Sequence, residues 1–141
     1  MQPYFTFQGQ AAQAMDFYEK VFGCSGMEIT RWSDAPESIK ASVSEEMRGK
    51  VLYGKMTILG TDVMFSDTDP SFHAPETFAQ SCFISLAIPF EGEEEVRRAY
   101  KKLLDGGKAL MEIGPQFFAK QYAWVQDKFG VTWQLIYGMI E

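Results

Sequence analysis

Apolar residues recur along this chain in a stripe that is written twice. Ala14, Phe17, Tyr18, Val21 and Phe22 stand at i, i+3, i+4, i+7 and i+8, and Val96, Ala99, Tyr100, Leu103 and Leu104 repeat that spacing 82 residues later. Such a period belongs to a helix that buries one face. Gly23 closes the first stripe and Gly106-Gly107 the second, where a left-handed cap comes most easily to glycine. A short alternating segment precedes each helix, residues 3–7 and 81–88, and three more follow each: 27–32, 51–59 and 62–66, then 109–113, 119–126 and 131–137. The pattern predicts one α+β domain, 1–141, made of two tandem βαβββ modules. The modules cover about 1–67 and 81–141, with a connector at 68–80. Curved mixed sheets enclosing a small-molecule cup, with the helices on their outer faces, are the expected outcome of that duplication.

Between the second and third strands, residues 33–48 are polar and lack a clear period. A connection of that length reads either as a lid or as a solvated surface loop with a helical turn. Gly60-Thr61 marks a tight hairpin between the next two strands. In the strand at 81–88, Phe83, Ser85 and Ala87 share one face, and Cys82, Ile84, Leu86 and Ile88 the other. The second helix begins with Glu93, Glu94 and Glu95 and continues with Arg97, Arg98, Lys101 and Lys102, an order that suits the helix dipole. That charge run is a property of the helix and not a binding patch.

With 46% apolar residues and 15% aromatics, the chain can bury a packed core. A net charge of −6 argues against a phosphate-binding surface, so no nucleic-acid partner is expected. The richest apolar run, 83–90, is far short of the roughly 20 residues a membrane helix needs, and a cytoplasmic protein without a membrane partner is expected. Cys24 and Cys82 form neither a CxxC pair nor a disulfide framework and read as buried thiols. The only histidine, His73, falls in the connector and reads as a solvated side chain. Asp67 and Asp127 look like residues that bond backbone amides at turns and strand ends, not like an acid/base pair. No nucleophile elbow is present, and no catalytic residue is assigned.

Laid out in order, several pieces carry a likeness. They are Pro3-Tyr4-Phe5-Thr6-Phe7 with Gly9, Ala14-Met15-Asp16-Phe17-Tyr18 with Val21-Phe22-Gly23, and Met64-Phe65-Ser66-Asp67. Further on come Tyr100, Leu103, Gly106-Gly107, Phe117-Phe118, Tyr122 and Asp127-Lys128-Phe129-Gly130-Val131-Thr132-Trp133-Gln134-Leu135. Together they resemble the vicinal oxygen chelate superfamily of glyoxalases, bleomycin-resistance proteins and extradiol dioxygenases. Within it they are most similar to the PhnB-like branch, often labelled 3-demethylubiquinone methyltransferase-like. The chain departs from that branch at Phe118-Ala119 and Tyr122-Ala123, where Trp-Gly and Tyr-Gly are usual, so two added methyl groups narrow the expected pocket.

The resemblance implies homodimers and, in metal-dependent members, a divalent ion held by His and Glu, two from each module. Counted from the landmarks, those places fall near Gln2 or Pro3, at Met64, at Phe83 and at Gln134, and none is a strong ligand. No metal and no cofactor are therefore expected. The methyltransferase label implies S-adenosylmethionine, but the glycines form no GxG or GxGxxG, and alternating strands argue against a doubly wound parallel sheet. What remains is a cup of aromatic and amide groups for a small molecule of unknown identity: Gln134 foremost, then Tyr4, Tyr53, Phe65, Phe83, Phe118, Tyr122 and Trp124. Two readings follow. One is a metal-independent binding protein like the bleomycin-resistance relatives; the other is an enzyme of the same superfamily, a lyase, isomerase or dioxygenase, acting on an unidentified substrate.

Overall fold

The computed structural model describes residues 1–69 and 84–140, in two compact units that divide between Phe78 and Ala79. In the first unit the apolar stripe becomes helix α1 (Ala11–Phe22), which buries Ala11, Ala14, Met15 and Tyr18 completely. Its C-cap is Gly23 in the left-handed region, φ 65°, with its N–H on the Glu19 carbonyl. Strands β1 (Tyr4–Phe7), β2 (Ser25–Arg31), β3 (Val51–Ile58) and β4 (Thr61–Asp67) make one mixed sheet in the order β1-β4-β3-β2. β1 runs parallel to β4, and the other pairs are antiparallel.

Helix α1 packs on one face of this sheet over β3 and β4, whose Val51, Met56 and Phe65 are fully buried. Tyr18 lies against the rings of Phe5 and Phe65, with centroids 6.2 and 6.1 Å away. The helix approaches so closely at Gly54 that a Cβ there would stand 2.7 Å from the Met15 sulfur. No side chain of α1's own cap residue closes its N-terminus. The carboxylate of Asp67, 2% exposed at the end of β4, does so: Oδ1 accepts from Gly9 N at 2.8 Å and Ala11 N at 3.0 Å, while Oδ2 accepts from Val51 N at 2.9 Å.

Residues 33–48 hold most of a 3-10 turn (Trp32–Asp34) and two short helices, α2 (Glu37–Lys40) and α3 (Glu45–Arg48). Ala35, Val43 and Met47 are buried, Arg31 donates to the Gly49 carbonyl at 2.6 Å, and the Trp32 indole donates to the Asp67 carbonyl at 3.3 Å. Of the two expectations, this matches a packed surface segment with helical turns rather than a lid. The β3-β4 hairpin also differs by one residue from expectation. Its two turn residues are Leu59 (φ 46°) and Gly60 (φ 84°), and Thr61 already belongs to β4. Both central residues take positive φ because that twist matches the strands they join.

The second unit repeats the plan: β5 (Leu86–Phe90), α4 (Glu93–Leu103), β6 (Lys108–Gln116), β7 (Ala119–Gln126) and β8 (Thr132–Met139), in the sheet order β5-β8-β7-β6 with β5 parallel to β8. Helix α4 buries Val96, Ala99 and Leu103, leaving Tyr100 half-buried and Leu104 just past its end. Gly107 lets β6 start directly beneath it, since a Cβ there would collide with the carbonyl oxygens of Gln126 and Leu103. The predicted α+β fold of two βαβββ modules is thus observed, with mixed four-stranded sheets that do not close into barrels. Of the strand predicted at 81–88, Phe83 and Cys82 lie outside the described residues, as does His73. No helix among the described residues is long and apolar enough to cross a membrane.

Replacing Asp67 by Ala strands three backbone donors at once. Asp67→Ala is expected to cost on the order of 4 kcal/mol of unfolding free energy, read as a lowered urea midpoint with an unchanged denaturant slope.

Candidate ligand-binding face

Strand β8 starts from a turn organised by a buried carboxylate. Asp127, 2% exposed, accepts the N–H groups of Phe129 at 2.9 Å and Val131 at 3.1 Å on Oδ1, and the Trp133 indole N–H at 2.8 Å on Oδ2. Trp133 and Leu135 are thereby committed to the buried side beneath α4, and alternation turns Thr132, Gln134 and Ile136 to the opposite face, where Thr132 is buried and Gln134 and Ile136 are half-buried. Register sets Trp124 beside Gln134 and Tyr122 beside Ile136 from β7, and Ala87 on the other flank of Gln134 from β5.

Three of the residues chosen from sequence therefore meet on one face, and a fourth adjoins them. Tyr122 donates its hydroxyl to Oε1 of Gln134 at 3.1 Å. Phe118, in the turn before β7, packs edge-on against Tyr122 with centroids 5.1 Å apart and planes at 76°. Burial pushes the Tyr122 phenol above its ordinary range, so it remains a protonated donor at neutral pH. Trp124 donates its indole N–H to Ser85 Oγ at 3.0 Å, Ser85 bonds Thr132 Oγ1 at 3.0 Å, and Thr132 donates to the Ile84 carbonyl. On β6, Gly114 pairs with Tyr122, and a Cβ there would meet nothing within 4 Å. The space beside the phenol is open.

Ser85 and Thr132 were not singled out as site residues. A period-2 count from Gln134 reaches Thr132, but only the pairing of the strands brings Ser85 to it and to the Trp124 indole. Other chosen residues fall elsewhere. Tyr4 and Tyr53 stand on the open face of the first unit's sheet, Tyr4 opposite Met64 and Tyr53 opposite Thr30. Phe65 does not share that face: it is fully buried beneath α1, its ring 5.3 Å from Phe5, because β4 commits Val63, Phe65 and Asp67 to the core side. Phe83 lies outside the described residues.

The first unit also holds a cleft of about 270 Å³ between the start of α1 and α3, lined by Gln8, Gln10, Gln13, Ser44, Glu46 and Lys50 among others. It offers no anion site at the helix end, since Asp67 already takes the N–H groups of Gly9 and Ala11. No three His, Cys, Asp or Glu side chains gather into a metal-binding group among the described residues. At two of the positions where the superfamily's ligands would fall, Met64 offers a thioether, and the Gln134 amide oxygen is taken by Tyr122. Neither suits a hard or borderline divalent ion.

The chain matches the 3-demethylubiquinone-9 3-methyltransferase family over residues 1–136. It belongs to that family. Protein YjdN of Escherichia coli strain K12 is 28% identical over 141 residues, covering 96% of this chain and 92% of that protein. Among solved structures, the PhnB protein of Bacillus cereus aligns with a TM-score of 0.79 at 28% identity over 98% of both chains. Protein PA1353 of Pseudomonas aeruginosa shares the fold, with a TM-score of 0.82 at 22% identity over 98% of this chain and 96% of its own. The resemblance stated from sequence is thus shown: the chain is a PhnB-like member of the vicinal oxygen chelate superfamily.

Cys24, expected to be buried, is half-exposed just after α1 and donates its thiol to the Tyr18 carbonyl at 3.4 Å. Burial, then the nearby Glu19 carboxylate, pushes the thiol up to about 11 from an ordinary 9.0. A raised folded-state value means that the stabilisation is complete below about pH 9 and is lost as pH rises through about 11. Alkylation of Cys24 by iodoacetamide, followed by peptide mass mapping, should accelerate up to about pH 11; a plateau near pH 9 would contradict this.

Proposed function

We propose that this PhnB-like protein is a metal-independent small-molecule binder of the glyoxalase/bleomycin-resistance type, cytoplasmic and homodimeric, whose second unit holds the ligand on its open sheet face. The Tyr122–Gln134 pair carries the reading. The resemblance puts the terminal carboxylate ligand of metal-dependent members at Gln134, and here an amide stands there, bonded to a phenol and flanked by an indole. An uncharged polar pair beside aromatic surface and open space suits an amphipathic ring compound.

Methyl transfer is not part of this reading, although the family's description carries it. A nucleoside cofactor of that kind takes a glycine-rich strand-to-helix turn in a parallel sheet. Both sheets here contain antiparallel neighbours, and the one such turn in the first unit, at Gly9, has its amides capped by Asp67.

Protein purified without chelators should bind the neutral dye Nile red at micromolar concentration, with a blue-shifted emission, while elemental analysis finds well under one equivalent of Zn, Fe, Mn or Ni per chain. Gly114→Leu fills the space beside Tyr122 and should weaken dye binding at least tenfold with little change in melting temperature. One equivalent of metal would overturn the metal-free claim and favour the enzyme reading. Light scattering should return about twice the 16.0 kDa chain mass; a single chain's mass would remove the dimer.

A further inference from the structure

Hydrogen-bond direction on the second unit's open face specifies what its ligand must offer. An indole N–H can only donate and a backbone carbonyl can only accept, so the chain from Trp124 through Ser85 and Thr132 to the Ile84 carbonyl runs one way. All three of its protons are spent. Tyr122 likewise spends its proton on Oε1 of Gln134. Gln134 Nε2 is left, with no partner among the described residues and two N–H groups at the half-buried end of a side chain standing between Trp124 and the small Ala87. Further along β7, on the same face, stands Lys120, exposed, its stem lying over Gly138. It too is a donor.

We infer that the ligand is an aromatic compound bearing a carbonyl oxygen, its ring against Trp124 and Tyr122 and its oxygen accepting from the Gln134 amide N–H. A ligand that only donates would leave both N–H groups of Gln134 Nε2 without an acceptor. This assignment rests on the binding reading above and narrows it to a chemical class.

The test is a matched pair that differs in the acceptor alone, 2-acetylnaphthalene against 2-ethylnaphthalene, each titrated as a competitor of bound Nile red. The ketone should displace the dye about tenfold more tightly, the worth of one hydrogen bond. Gln134→Met should bring the ketone down to the level of the hydrocarbon, whereas Lys120→Met should keep the preference. Equal displacement by the two compounds, or a preference that survives Gln134→Met, overturns the ligand class while the binding reading stands. If Nile red itself does not bind, the binding reading falls and the class falls with it.

Discussion

One buried carboxylate holds the first unit together. Asp67 is balanced by three backbone N–H groups from two separate stretches of chain, Gly9 and Ala11 at the start of α1 and Val51 at the start of β3. A carboxylate removed from water must have its lone pairs filled, and three directed N–H bonds are an effective way to do it. The same atoms that satisfy Asp67 fix where α1 starts, where β3 starts and where β4 ends. Its backbone carbonyl also receives the Trp32 indole, which ties the 3-10 turn to the same point. The parallel pairing of β1 with β4 brings Phe7 opposite Asp67 and so delivers the carboxylate to the helix end.

Asp127 solves a different problem with the same chemistry. By accepting two turn amides and the Trp133 indole, it decides which face of β8 looks inward. A strand has only two faces, so holding Trp133 beneath the helix presents Gln134 to the open side. The candidate site is thus set by a residue that does not touch it. The coupling runs through these hydrogen bonds and the alternation of the strand, and it explains why an aspartate seven residues away belongs to any account of Gln134.

Much of this was legible from spacing. The stripe at Ala14, Phe17, Tyr18 and Val21 gave the helix and its stop at Gly23, because helix periodicity and a left-handed glycine cap are local signals. Tyr122, Trp124 and Gln134 were legible as strand residues of one face, since a period of two needs only a correct starting point. Phe65 was misplaced for the same reason: a one-residue choice decides the face, and only the burial of Asp67 two positions on fixes it for β4. Ser85 and Thr132 were not legible as a pair at all, being 47 residues apart and joined only through sheet pairing. The hairpin shifted to Leu59-Gly60 because Leu59 accepts a strained left-handed backbone that sequence alone assigns to glycine.

The duplicated backbone has not kept duplicated chemistry. On the first unit's open face, Lys55 and Asp62 form an ion pair at 3.3 Å beside Met64, with Thr57 donating to Asp62 at 2.8 Å. The hydrogen bond from Thr57, then that from Lys55, holds the Asp62 carboxyl below its usual range, and the bond to Asp62 holds the Lys55 ammonium above its own. Both are solvated, and such a pair contributes little to stability and nothing apolar for a ring to rest on. The second unit's face instead spends its polar atoms on an internal chain that ends at a carbonyl, leaving, among the described residues, the two N–H groups of the Gln134 amide to spare. The same βαβββ plan therefore supports a face with a solvated ion pair in one copy and a face whose polar side chains bond one another in the other. That difference, more than the repeat itself, is the reason for proposing the second copy as the one that binds.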